Sequence, residues 1–268
     1  MTDILKNNKA YLVWFLFYVL FFSILTGGIA LFYYLITVPL AFSPVAENLW
    51  RKVTGVRPLR LKSEKERLLP IFKEVYWEAV RANPNLSKGI KLYIKEDMTI
   101  NAFAFGKGTL VLTRGSIELL NDECLKGLIS HEFGHFAYKH TDALLLFTVA
   151  NLPMSFIIRK LTDAKNYFDN SKRRSLIIGS LCDFLYYLFK ALDFIGDLIL
   201  MHSSRKSEYK ADKFSIKSGF GKNLTDVLIE IYGVSISKPQ SVKEQLRSTH
   251  PHITLRIERL ENYIELTT

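Results

Sequence analysis

The chain runs to 268 residues, 49% of them hydrophobic, with a net charge of +10. A positive mean hydropathy of +0.10 is unusual beside that charge and points to a protein that works at a membrane. Nucleic acid is set aside as the partner of the basic residues, because no stripe alternating aromatic and Lys/Arg positions accompanies them; anionic lipid fits better.

No charged residue occurs between Ala10 and Ala46. One straight helix over that stretch would be about 55 Å long, far beyond a hydrocarbon core of about 30 Å. The stretch also exceeds a signal-peptide core of about 7–15 residues. The turn signal Thr26-Gly27-Gly28 predicts a helical hairpin, about 10–26 and 28–46, in preference to one tilted span with apolar overhang. Lys6 and Lys9 precede the hairpin, and Arg51, Lys52, Arg57, Arg60, Lys62, Lys65 and Arg67 follow it. Basic flanks of this kind mark the cytoplasmic side. The expectation is a membrane anchor over 1–50 and one mostly helical α+β domain over 51–268, a multi-pass inner-membrane protein whose domain faces the cytoplasm.

Within that domain Ser63-x-x-Glu66 reads as a capping box, opening a helix through Trp77 and Val80 that Asn83-Pro84-Asn85 ends. Leu92–Ile94, Ala102–Phe105 and Thr109–Thr113 read as short strands of a small sheet. Asn121, Asp122 and Glu123 open a further helix whose apolar face continues through Leu125, Leu128 and Ile129. An apolar, membrane-associated insertion over 143–203 follows, then a helix near Leu224–Ile231, a Lys238-Pro239 loop and a last helix from Ile253 to Leu266. Cys124 and Cys182 lie in helical apolar contexts without a metal-type spacing and read as small core residues.

The helix opened by Asn121 carries His131-Glu132-Phe133-Gly134-His135. Histidines at i and i+4 share a helix face and grip one metal ion, while the intervening glutamate takes a proton from metal-bound water. A hydrolytic zinc site needs a third protein ligand. One solution, a histidine six residues on with a glycine midway, is excluded because Thr141 and Tyr138 hold those positions. On a continuing helix His140 would lie about 180° from His131, so it reads as a surface or packing histidine. The other solution brings a glutamate from a second helix with an aspartate one turn later. Glu208 and Asp212 fit: Glu208 as ligand, Asp212 as acceptor from a ligand imidazole.

These blocks, with Asn101-Ala102-Phe103-Ala104 upstream and Thr249-His250-Pro251 and Arg256-Ile257 downstream, resemble the HtpX-like membrane metalloproteases, relatives of the CAAX prenyl proteases. His252 stands where that family usually has a second proline, and the short N-terminal region and the basic Lys172–Arg174 loop also depart from it. The resemblance implies a zincin-type (gluzincin) catalytic domain with one Zn2+ per chain, held by His131, His135 and Glu208. Glu132 is then the general base of peptide-bond hydrolysis, acting on membrane or membrane-associated protein substrates in quality control. Maturation of one peptide or prenylated precursor is the alternative, and a non-catalytic zinc-binding scaffold is the alternative of another class.

The strand Asn101–Phe105 has two readings. It holds a substrate peptide by edge pairing through Asn101, Ala102, Phe103 and Ala104, or it is a core strand with Phe103 and Phe105 packed inside. His250 likewise either donates to the oxyanion or caps the turn before Pro251, and Arg256 is read as making a structural ion pair. For the insertion, Ala143–Ile158 offers only about 24 Å of uncharged helix, interrupted by Asn151 and Pro153. Asp183, Lys190, Asp193 and Asp197 line one side of the second segment. Helices that lie along or dip into the cytoplasmic leaflet are therefore expected over full spans.

Overall fold

In the computed structural model, which describes residues 8–170, 176–235 and 251–266, the apolar N-terminus forms two helices, α1 (Lys9–Leu25) and α2 (Ile29–Ala41). Gly27 and Gly28 turn the chain between them with φ of 59° and 93°, a region open to glycine without steric cost. The second helix stops at Ala41, short of the expected 46. There the chain bends by 75° into α3 (Pro44–Val53), which Ser43 caps by accepting from Ala46 N at 3.2 Å. Helix α3 is amphipathic: Val45, Leu49 and Val53, four apart, are exposed along one side. It carries the chain across the boundary expected at residue 50.

A four-stranded sheet follows, built from β1 (Val56–Pro58), β2 (Lys91–Lys95), β3 (Ala102–Phe105) and β4 (Thr109–Thr113) in the order β1-β2-β4-β3. The central pair β2 and β4 is parallel, and the outer pairs are antiparallel. This leaves β3 at an edge. The strand β1, three residues ending in a proline, is too short to show a pattern in sequence. Against the sheet pack α5 (Arg114–Leu119) and α6 (Asp122–Ala137), while α4 (Lys62–Ala82) and α9 (Gly221–Ser235) pack on α6 and α10 (Ile253–Glu265) packs on α9. Their core includes Leu68, Val75, Ile94, Leu110, Leu125, Ile129, Phe133, Phe214 and Leu224.

The capping box expected at Ser63 and Glu66 does not form. Helix α4 starts two residues earlier, with Leu61 at the N-cap, and the carboxylate that caps it belongs to Glu64, which accepts from Arg60 N at 3.1 Å and Leu61 N at 3.2 Å. The same carboxylate accepts from both Arg57 Nη atoms at 3.0 and 2.6 Å and from Arg114 Nη2 at 3.1 Å. The bonds from Arg57 outweigh burial and hold Glu64 down at about 2, against an ordinary 4.5. Because the folded value is depressed, this stabilisation is present above about pH 4.5 and is lost as pH falls from there toward 2. Glu64→Gln should cost about 3 kcal/mol at pH 7, with the gap to the parent narrowing below pH 4.5 in thermal or urea unfolding.

The remaining long helices, α7 (His140–Asn170) and α8 (Leu176–Lys217), bundle with α1 and α2 around a second, aromatic core that includes Tyr11, Trp14, Tyr18, Phe22, Phe147, Met154 and Phe189. The outer faces stay apolar and exposed, as at Val13, Leu20, Ile24, Phe32 and Ile36. Asn151 and Pro153, expected to interrupt the first insertion segment, lie inside the continuous α7. Among the described residues one helix, His140–Asp169, is by itself long and apolar enough to cross a membrane, and the bent pair α2–α3 passes the same test when taken together. Asp183 of α8 accepts from Lys165 Nζ of α7 at 2.8 Å, and Lys190 lies 3.7 Å from Asp193. Helix α8 runs unbroken from the bundle into the sheet-containing domain, across the boundary expected at residue 203.

Candidate metal centre

Helix α6 starts where Asn121 Oδ1 accepts from Cys124 N at 2.8 Å, and it buries His131 and Glu132 at 4% and 5% exposure. The two histidines project from one face with their Nε2 atoms 3.2 Å apart. Helix α8 crosses that face and brings Glu208 to them: Oε2 is 3.4 Å from His131 Nε2, and Oε1 is 3.5 Å from His135 Nε2. Bonds of about 2.0–2.1 Å to a tetrahedral zinc ion would separate its donor atoms by about 3.3–3.4 Å. The two nitrogens and the carboxylate therefore fit such an ion. Glu132 closes the group, its nearest carboxylate oxygen and the two histidine donor atoms lying within 4.8 Å of one another.

The crossing is set by Gly134. A Cβ there would sit 2.7 Å from Ala211 Cα, a distance real Cβ atoms do not keep from backbone, so α6 and α8 touch along their main chains. Gly134→Val should force α8 away and lower metal affinity about 10–100-fold. Competition with a chromophoric chelator would measure it; unchanged affinity in a folded variant would count against this role.

Behind the donor atoms lies a buried charge cluster. Asp212 Oδ1 is 2.9 Å from His131 Nδ1, so the imidazole donates there and turns Nε2 to the cleft. Arg256 of α10 clamps Asp212 with two bonds, Nε to Oδ2 at 2.9 Å and Nη2 to Oδ1 at 2.6 Å, while its Nη1 lies 3.1 Å from Glu208 Oε2. Arg256 Nη2 also approaches His131 Nδ1 at 3.4 Å, a close contact rather than a bond once that nitrogen donates to Asp212. Burial and Arg256 oppose a charge on His131, yet the bonds to Asp212 and Glu208 prevail and push it up to about 9. Asp212 is held below the usual carboxylate range, since Arg256 and His131 overcome its burial.

His140 corrects the expectation of an unbroken helix. Lys139 takes a left-handed φ of 59°, α6 ends at Ala137 and α7 begins at His140. The imidazole is thereby swung back, buried, with Nδ1 3.1 Å from His135 Nδ1. With His135 Nε2 turned to the cleft, its Nδ1–H donates to His140, which orients it as Asp212 orients His131. No glycine marks the break, so nothing in the sequence announced it. Tyr11 of α1, also not anticipated, bonds Ser204 at 3.1 Å and reaches the same cleft.

One cavity of about 490 Å³ holds these groups together. Asn101, Ala102, Phe103 and Ala104 line it along the edge strand, facing His131, Glu132, His135 and Glu208. Pro251 and Arg256 close another wall, whereas His250 lies outside the described residues. The reading of β3 as a core strand with packed phenylalanines is overturned. It is Ala102 and Ala104 that face the core, because the pleat alternates and β4 with α6 fills that side; Phe103 and Phe105 stack on the other face.

Residues 64–264 match the family description Peptidase family M48. A protease HtpX homolog of Listeria monocytogenes is 30% identical over 223 residues, covering 70% of this chain and 73% of that protein. A second, from Methanothermobacter thermautotrophicus, is 29% identical over 205 residues, covering 75% and 68%. The crystal structure of S. mikatae Ste24p shares the fold with a TM-score of 0.56 at 20% identity, over 97% of this chain. This chain spans 63% of that longer protein. A peptidase fold with a buried His-Glu-His cluster thus defines the class, and the chain belongs to peptidase family M48, as an HtpX-like protease.

Proposed function

We propose that the protein is a zinc-dependent endopeptidase, using one ion per chain, that cleaves membrane or membrane-associated proteins. The observation that carries this reading is the convergence of His131, His135 and Glu208 on one point beside Glu132, in a cleft floored by an edge strand. When bound, zinc supplies Lewis-acid polarisation of the scissile carbonyl and a water acidified toward a pKa of about 7. Glu132 takes the proton of the attacking water and delivers it to the leaving amine. The backbone of Asn101–Ala104 holds the substrate extended by adding it to the sheet edge. Asp212 and His140 keep the two imidazoles oriented, and Arg256 offsets the charge of the buried carboxylates. His250 is a candidate donor to the oxyanion.

The apolar outer faces of α1, α2, α7 and α8 support embedding of the bundle in lipid, with the sheet and helices α4–α6, α9 and α10 in the cytoplasm. Lys165 of α7 and Asp183 of α8 pair with each other while partly exposed, which weakens one argument against full spans for the insertion. Labelling of Lys172→Cys in intact cells decides: modification from outside means that α7 and α8 span, and protection means that they stay in the cytoplasmic leaflet. Trapping with Glu132→Gln in native membranes, read by mass spectrometry, identifies the substrates. Many misfolded membrane proteins support quality control; one dominant precursor supports maturation instead.

A further inference from the structure

A second cavity, of about 270 Å³, adjoins the cleft and takes no part in the chemistry above. Its walls are the bend between α2 and α3 (Phe42, Trp50), the outer face of β3 (Phe103, Phe105) and one side of α7 (Leu145, Thr148). Phe103 and Leu144 line both this cavity and the metal cleft, so the two are continuous along β3.

We propose that this cavity is a substrate subsite that takes one large apolar side chain, aromatic or branched aliphatic, from the peptide held along β3. The inference rests on the peptidase reading and adds a specificity to it. Three features single out that occupant. First, the polar groups of the wall are already engaged: Ser43 by Ala46 N, Thr54 by Trp50 O, and Thr148 by Leu144 O. Glu47 accepts from Thr109 Oγ1 and, at 3.3 Å, from Lys107 N, while the Lys107 ammonium sits 5.5 Å over the Phe42 ring. A neutral polar guest would exchange full hydration for a wall whose hydroxyls and carboxylate are already bonded, leaving the Lys107 ammonium at the rim as its one charged donor. Second, the size fits: a dry apolar cavity of about 150 Å³ accommodates benzene, so this one has room for a larger ring or branched chain. Third, the position fits, because a peptide paired with an edge strand points alternate side chains to one side, where Phe103 and Phe105 form the floor. The wall is also held in place. Glu47 ties α3 to the β3–β4 turn at Gly106, where an added Cβ would lie 2.7 Å from the Glu47 carboxyl carbon.

The test uses the full chain, zinc-loaded in nanodiscs, on a peptide series varied one position at a time around the cleaved bond. Burying a large apolar side chain is worth about 10–150-fold in kcat/KM, so one position should prefer Phe, Leu or Trp over Ala or Asp by at least about tenfold. Thr148→Trp, an exposed wall position, should fill the cavity and reduce that preference to below about threefold, because cleavage of the Phe peptide falls more than cleavage of the Ala peptide. An unaltered preference in Thr148→Trp, or an equal fall for every peptide, would overturn the proposal. So would a copurified lipid that native mass spectrometry finds on the parent and not on this variant, since the occupant would then be an acyl chain. Binding of the same peptides to Glu132→Gln supplies a readout without turnover. A binding preference in Glu132→Gln with no cleavage of any peptide by the parent protein refutes the peptidase reading and keeps the subsite; equal binding of Phe and Ala peptides refutes the subsite.

Discussion

Glu132→Gln should abolish peptide hydrolysis while the purified protein keeps its metal. The amide retains the size of the side chain and its place beside His131 and His135, but it cannot take a proton from water. A loss of about 10²–10⁴-fold in kcat is expected, the usual contribution of a positioned general base. Glu208→Ala should lose activity and metal together, because it removes a carboxylate whose oxygens approach both imidazoles, at 3.4 and 3.5 Å. Metal content by elemental analysis separates the two variants. Full proteolysis by Glu132→Gln would end the proposed mechanism, and full zinc occupancy in Glu208→Ala would end its role as ligand.

Arg256→Met should be the most destabilising single change near the cleft. The guanidinium is buried and faces two buried carboxylates, at 2.6 Å for Asp212 and 3.1 Å for Glu208. Removing one partner of a buried ion pair costs about 3–5 kcal/mol, because the two buried carboxylates are left with His131 alone to offset them. The loss should show as a lower midpoint in thermal unfolding of the metal-free protein. Zinc should restore part of it, since a cation at Glu208 replaces some of the missing positive charge. Double substitution of Arg256→Met with Asp212→Leu should be less harmful than Arg256→Met alone. Equal or greater damage in the double variant would show that packing, not charge, is what Arg256 supplies.

The chemistry-bearing residues were legible because each obeys a local periodicity. The spacing of His131 and His135 on one helix face needs only 3.6 residues per turn, and Asn121 caps that helix where the sequence places it. Glu208 and Asp212 share a face of α8 for the same reason. The strands β3 and β4 follow from short apolar runs joined at Gly106-Lys107-Gly108. Where local rules competed, the sequence reading went astray. Two carboxylates lay within reach of the α4 N-terminus, and the contest between Glu64 and Glu66 was settled by Arg57 and Arg114, which arrive from other strands and loops. The inward face of β3 was misjudged because alternation alone does not say which side is core, and the bulk of β4 and α6 left room only for alanine.

What the sequence determined by itself is the set of groups that meet at the cleft floor, since each is positioned by its own helix or strand period. Only the tertiary structure decided how those helices cross, and with that the shape of the site. The Gly134–Ala211 contact brings Glu208 within reach of two histidines. The left-handed Lys139 swings His140 onto His135, and the arrival of α10 puts Arg256 between two carboxylates. These are long-range outcomes of packing. Residues dozens of positions apart adopt them because burying both cores brings these backbones together and sets Arg256 against the buried Asp212 and Glu208.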